Sequence, residues 1–228
     1  MTQFSRRSVT PTPGETVPVD IPADSVLLQG DLTLPEGAEG LVIFAHGSGS
    51  SRFSPRNRHV AAVLQQAGLG TLLLDSLTPQ EEALDQITAG LRFDLDLLRD
   101  RLIAAAEWAS STPATAGLCL GLFGSSTGGG AALLAAAARP DLITTVVSRG
   151  GRPDLAGPAL PQVECPVLLL VGGEDHGVIE LNEEAAQDLR CEKELVIIPG
   201  ATHLFEEPGK LDEVAGCAAE WFATYLHH

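Results

Sequence analysis

From residue 40 onward, short runs rich in Val, Ile and Leu alternate with longer stretches of helical period, and few folds accept that order. "GLVIFAHG" (40–47), "LGTLLLDS" (69–76), "AGLCLGLFG", "LITTVVSRGG", "CPVLLLVGG" and "KELVIIPG" are apolar along nearly their whole length, as strands covered on both faces must be. Between them, "SPRNRHVAAVLQQAG" (54–68) reads as a helix with Ser54 as N-cap, Pro55 at its first position and Gly68 as its stop. "FDLDLLRDRLIAAAEWA" (93–109) places Leu95, Leu98, Leu102 and Ala106 on one helical face. "STGGGAALLAAAARP", "IELNEEAAQDLR" and "LDEVAGCAAEWFATYL" complete the helices. Upstream, "SVLLQGDLTLP" (25–35) alternates at period two, the pattern of a half-buried antiparallel strand. The alternation predicts a three-layer α/β fold, with a mostly parallel central sheet of about seven or eight strands and helices on both faces. One domain is expected over residues 1–228, with 1–15 as a flexible arm. Only "GRPDLAGPALPQVEC" follows the sixth strand, which leaves no room for a large cap domain. Within it, "GPALPQVECP" (157–166) reads as a surface connection.

In such sheets chemistry gathers at the carboxyl ends of the strands. The residues there are His46-Gly47-Ser48-Gly49, Ser76, Ser125-Ser126, Arg149, Asp175 and His203. The joint between the fifth strand and its helix is "GSSTG", with two candidate hydroxyls. A nucleophile raised on a sharp strand-to-helix turn needs small residues two positions before and after it, the pattern G-x-S-x-G. Ser126 has Gly124 and Gly128 at those offsets, whereas Ser125 has Phe123 before it. Ser126 is therefore the expected nucleophile.

A serine hydroxyl needs a base to take its proton. His203 follows the last strand, and Asp175 follows the one before. The chain order Ser126, Asp175, His203 is the order in which one class of strand-built hydrolytic sites supplies nucleophile, acid and base. Glu174 is the substitute for Asp175, and His59 reads as a surface or packing residue. A metal site at Asp175-His176 lacks a second pair of ligands at suitable spacing, so neither metal nor cofactor is expected. The backbone amide of Thr127, at a helix N-terminus, is one expected oxyanion donor. The second should come from "HGSGSS", with Ser48 preferred and Gly49 as alternative, while His46 ties the loop down. Gly47, Gly49 and Arg149 are candidate substrate contacts.

Net charge narrows the partners. With 14 basic against 30 acidic residues, a net charge of −16, the chain does not suit nucleic acid or an anionic membrane surface. A small-molecule substrate is expected, and at most a second copy of the chain in a homodimer. Five of the arginines nonetheless fall near the active edge: Arg52, Arg56, Arg58, Arg149 and Arg152. They either bind an anionic part of the substrate or form ion pairs with the many carboxylates. Ser5-Arg6-Arg7 is not followed by the apolar run of an export signal, and the four cysteines lack C-x-x-C spacing. A cytoplasmic protein with unbridged thiols is the expectation. The terminal His227-His228 enters no functional reading.

"FAHGSGSS", "LGLFGSSTGGGAAL", "LLLVGGEDHGV" and "PGATHLFEEPG" together resemble the α/β-hydrolase fold superfamily, and within it the compact dienelactone-hydrolase-like branch. Dienelactone hydrolases proper carry cysteine in the elbow, whereas this chain has Ser126. The resemblance therefore implies serine-esterase chemistry on a small acyl substrate. The same residues would also serve acyl transfer, thioester or peptide cleavage, and a non-catalytic binding protein could keep the fold. Leu84 and Ile87, in the long connection 76–92, are expected to wall an acyl pocket.

Overall fold

The computed structural model describes residues 12–227; Ser5-Arg6-Arg7 and His228 lie outside the described residues. Eight strands form one sheet: β1 (Thr16–Ala23), β2 (Val26–Thr33), β3 (Gly40–Ala45), β4 (Gly70–Leu74), β5 (Cys119–Ser125), β6 (Ile143–Arg149), β7 (Val167–Gly172) and β8 (Lys193–Ile198). Their order across the sheet is β1-β2-β4-β3-β5-β6-β7-β8. β1 and β2 are antiparallel, as are β2 and β4, and every later pair is parallel. β3 and β5 lie at the centre, and the chain reverses its direction of travel across the sheet there. That places the ends of β3 and β5 side by side, where an α/β sheet opens a crevice.

Six helices flank the sheet: α1 (Pro55–Gln66), α2 (Pro79–Thr88), α3 (Leu95–Ser111), α4 (Thr127–Ala138), α5 (His176–Asp188) and α6 (Lys210–Tyr225). Val60, Ala61 and Leu64 of α1 join Val214, Ala215, Ala218 and Phe222 of α6 over one face. Leu98, Leu102, Ala105 and Ala109 of α3 and the alanines of α4 cover the other. Leucine, valine, isoleucine and alanine fill the α3/α4 face, whereas Phe44, Phe123, Phe205 and Phe222 pack into the other.

Four segments depart from the reading of the sequence. β1 was not located there, because Pro18 and Pro22 interrupt its pattern; it is an edge strand, where a missing amide donor is tolerated. Of the expected flexible arm, residues 12–15 form a turn tied to β2 by the Gly14 amide on the Leu34 carbonyl at 2.7 Å. Residues 1–11 lie outside the described residues. The connection 76–92 contains α2, opened by a capping box in which Thr78 and Glu81 satisfy each other's backbone amides. The supposed surface connection 157–166 largely belongs to a 3-10 segment, Pro153–Gln162, that buries Pro153, Ala156 and Leu160 against α4. No described helix is long and apolar enough to cross a membrane.

Candidate active site

The elbow between β5 and α4 is built by steric exclusion. A β-carbon on Gly124 would stand 2.5 Å from the Gly128 carbonyl oxygen, and one on Gly128 would stand 2.7 Å from that of His46. Both obstacles are backbone, so neither can swing aside. Held between them, Ser126 adopts φ 51°, ψ −122°, a conformation that costs a β-carbon-bearing residue about 1–3 kcal/mol. It persists because the Ser126 amide donates to the Arg149 carbonyl and the Ser126 carbonyl accepts from Gly129 and Arg152.

The two serines separate cleanly. Ser125 is buried, and its hydroxyl donates to Asn57 Oδ1 on α1 at 3.1 Å. Ser126 is half-buried, and among the described residues no hydrogen bond engages its hydroxyl. One serine anchors a helix; the other is left available.

His203 lies in the turn after β8. The Phe205 amide donates to the Thr202 carbonyl, and the Thr202 amide to the Glu207 carboxylate. Phe205 takes a left-handed φ of 56° to drive its ring into the core below. The His203 ring rests over Gly150, where a β-carbon would stand 3.5 Å from Nδ1 and Cε1. Asp175 Oδ2 lies 2.6 Å from His203 Nδ1, while Glu174 next to it is exposed. Asp175 opens α5 without capping it, so its carboxylate serves the histidine and not the helix.

Ser126 faces the loop after β3. A β-carbon on Gly47 would stand 3.3 Å from Ser126 Cβ, so glycine is needed for the loop to approach this closely. The Ser48 hydroxyl is 2.8 Å from that of Thr127, which clips the loop to the first residue of α4. His46 Nδ1 lies 2.9 Å from the Gly47 carbonyl, and the Ser76 amide donates to Nε2 at 3.1 Å. An amide donor at Nε2 and a carbonyl at Nδ1 define the tautomer with the proton on Nδ1. His46 thus ties the loops after β3 and β4 together, the role expected for it.

A second tie comes from α2, and nothing in the sequence reading marked it. Asp85 is 1% exposed and accepts from the Leu91 amide at 2.7 Å, the Arg92 amide at 3.1 Å and Arg92 Nε at 2.5 Å. The Arg92 carbonyl in turn accepts from the Ser48 hydroxyl at 3.2 Å. Burial works to raise the Asp85 pKa, but the hydrogen bonds from Arg92 and Leu91 overcome it and hold the carboxyl below its ordinary value. A depressed carboxyl stabilises the fold above the unfolded pKa of about 3.9 and loses that contribution as pH falls through the folded value. Asp85→Asn is therefore expected to speed hydrogen exchange of the Leu91 and Arg92 amides at pH 7, and to narrow the difference from the parent below about pH 4. Equal exchange at pH 7 would contradict the latch.

Leu84 and Ile87 do not wall a pocket: they are 55% and 85% exposed on the outer side of α2. A cavity of about 490 Å³ opens instead on the far side of His46, between Phe53, Ser54, Asp75 and Leu77. Neither Ser126 nor His203 lines it. The five arginines divide. Arg52 pairs with Asp75 and, at 3.4 Å, with Asp31; Arg58 also reaches Asp31, and Arg152 holds Asp154 at 2.7 Å. Arg56 pairs with Glu206, also at 3.4 Å, and Arg149 has no carboxylate among the described residues. None of the four cysteines forms a disulfide, and burial pushes the Cys165 thiol up to about 12.

A family model described as the dienelactone hydrolase family matches residues 57–226. A crystal structure of dienelactone hydrolase from Anabaena variabilis is 58% identical with a TM-score of 0.92, over 93% of this chain and 99% of that one. An α/β serine hydrolase without a lid, from Xanthomonas campestris, shares the fold with a TM-score of 0.74 at 21% identity, over 94% of this chain and 97% of that one. Two Mycobacterium tuberculosis proteins, each named "Putative phosphoribosyl transferase", are 52% identical over 208 residues. The match covers 91% of this chain and 46% of theirs, so the chain spans about half the length of these curated relatives. Matched across its helices, strands and site-bearing loops, the chain belongs to the dienelactone hydrolase family.

Proposed function

We propose that the chain is a serine hydrolase of small carboxylic esters, with Ser126 as nucleophile, His203 as base and Asp175 as the group that orients it. The observation that carries this reading is the 2.6 Å bond between Asp175 and His203 Nδ1, beside an elbow whose serine hydroxyl makes no hydrogen bond among the described residues. With Nδ1 protonated and held by Asp175, His203 Nε2 is the basic atom. It takes the Ser126 proton as Oγ bonds to the acyl carbon and the carbonyl electrons move to oxygen. The Thr127 and Ser48 amides hold that oxyanion, and the Ser48–Thr127 hydroxyl contact keeps the two donors in register. Collapse expels the alcohol, protonated by His203, and water repeats the sequence to release the acid.

The transferase name of the mycobacterial relatives belongs to proteins about twice as long as the matched region. The reading is tested with a fluorophosphonate probe followed by peptide mapping. Label is expected on Ser126 and not on Ser125, with p-nitrophenyl butyrate hydrolysis lost in proportion to labelling. Hydrolysis that survives complete labelling of Ser126, or label on another residue, sinks the assignment.

A further inference from the structure

One guanidinium group beside the site, that of Arg149, lacks the partner that a charge in a protein interior normally has, and a second, that of the half-buried Arg56, holds only an exposed carboxylate. Arg149 closes β6 next to Ser125 and is 6% exposed. Its Nε is buried without a hydrogen-bond partner, and its guanidinium carbon lies 5.7 Å from the Phe205 ring centroid. Arg56, the second residue of α1, is half-buried: its Nε is buried without a partner, while its outer nitrogen pairs at 3.4 Å with Glu206, itself 64% exposed. Burial, with the charge of Arg56 behind it, pushes the Arg149 pKa down to about 10, which still leaves it cationic at neutral pH. A chain with a net charge of −16 has carboxylates to spare, yet none is placed against Arg149.

An unpaired buried cation destabilises a fold, and replacing it with an apolar side chain is often favourable. Its retention is explained when an anion from outside completes the pair. The position suits substrate recognition: the Arg149 carbonyl accepts from the Ser126 amide at 3.2 Å, and Phe205 and Glu206 follow His203 in the same turn. The first turn of α1 adds the partial positive charge of a helix N-terminus. Two forks, each with parallel donors, match the oxygens and double charge of a phosphate, whereas a carboxylate would neutralise only one.

We propose that Arg149 and Arg56 form a phosphate-recognising site beside Ser126 and His203, and that the ester hydrolysed there carries a phosphoryl group away from the scissile bond. The proposal rests on the hydrolase reading for its reaction but not for its anion.

Inorganic phosphate is the probe, titrated into Ser126→Ala protein at constant ionic strength and followed by melting temperature and calorimetry. A saturable rise in Tm is expected, with none from acetate or chloride. Arg149→Met should abolish it, and Arg56→Gln should weaken binding about tenfold or more. In phosphate-free buffer Arg149→Met is expected to melt about 2–4 °C above its parent, because an uncompensated charge has left the interior. Arg149→Lys, which keeps the charge and loses the fork, should bind about tenfold more weakly and guards against misfolding of the Met variant. Failure of phosphate to bind, binding undiminished by Arg149→Met, or an equal response to acetate would each overturn the proposal. Fluorophosphonate labelling that fails while phosphate still binds would defeat the hydrolase reading and leave the anion site standing.

Discussion

Ser126→Ala is expected to lower kcat for p-nitrophenyl butyrate by on the order of 10⁶, to whatever residual rate the oxyanion donors and binding alone sustain. The magnitude follows from the loss of the covalent step, since neither His203 nor Asp175 can act on a missing hydroxyl. A second substitution at the same position separates chemistry from strain. Alanine keeps a β-carbon at φ 51°, so its melting temperature should stay close to the parent's. Glycine is free of that penalty, and Ser126→Gly should melt higher by about 2–4 °C while being equally inactive. Retained activity in Ser126→Ala would remove the nucleophile; a Ser126→Gly protein that melts lower than Ser126→Ala would show that the elbow is not strained.

Asp175→Asn should cost kcat about 10⁴-fold with little change in KM. Its carboxylate contacts His203 Nδ1 at 2.6 Å and caps no helix, so the loss falls on the orientation and charge of the imidazole and not on the fold. An asparagine amide can turn its NH₂ towards Nδ1 and leave the proton on Nε2, the atom that has to accept the proton of Ser126. Glu174→Gln is the matched control, because Glu174 is exposed one residue away. Steady-state kinetics should show it within a factor of about two of the parent. Comparable losses in both variants would mean that acidity of the loop in general, and not one bond, supports the histidine.

The candidate site was legible in the sequence where its causes are local. Gly124 and Gly128 stand at fixed offsets from Ser126 because a turn this sharp presses the backbone of Gly124 against Gly128 and Gly129, and that of Gly128 against the end of β3. That separates Ser126 from Ser125 without any knowledge of the rest of the chain. The strand ends that carry Asp175 and His203 were legible for the same reason: buried parallel strands are apolar runs, and their ends are where the run stops. Even α2 was written there, in Thr78-Pro79 followed by Glu81, a capping box hidden by the polar run "QEEALDQ".

The rest depends on groups far apart in the chain. Leu84 and Ile87 look like pocket residues by composition, and only the docking of Asp85 against Leu91 and Arg92 turns them outward. The five arginines are equivalent in a sequence, where ion pairing and ligand binding predict the same letters. Tertiary structure distinguishes them, giving Arg52 and Arg58 the carboxylate of Asp31 from β2 while burying Arg149 with none. By itself the sequence determined the layered α/β architecture, the elbow and the identity of its serine, because steric exclusion and hydrophobic period act over a few residues. Only the tertiary structure decided which carboxylate meets His203 and which guanidinium groups stay unpaired, because charge pairing is set by distance in space, and folding brings together partners dozens of residues apart.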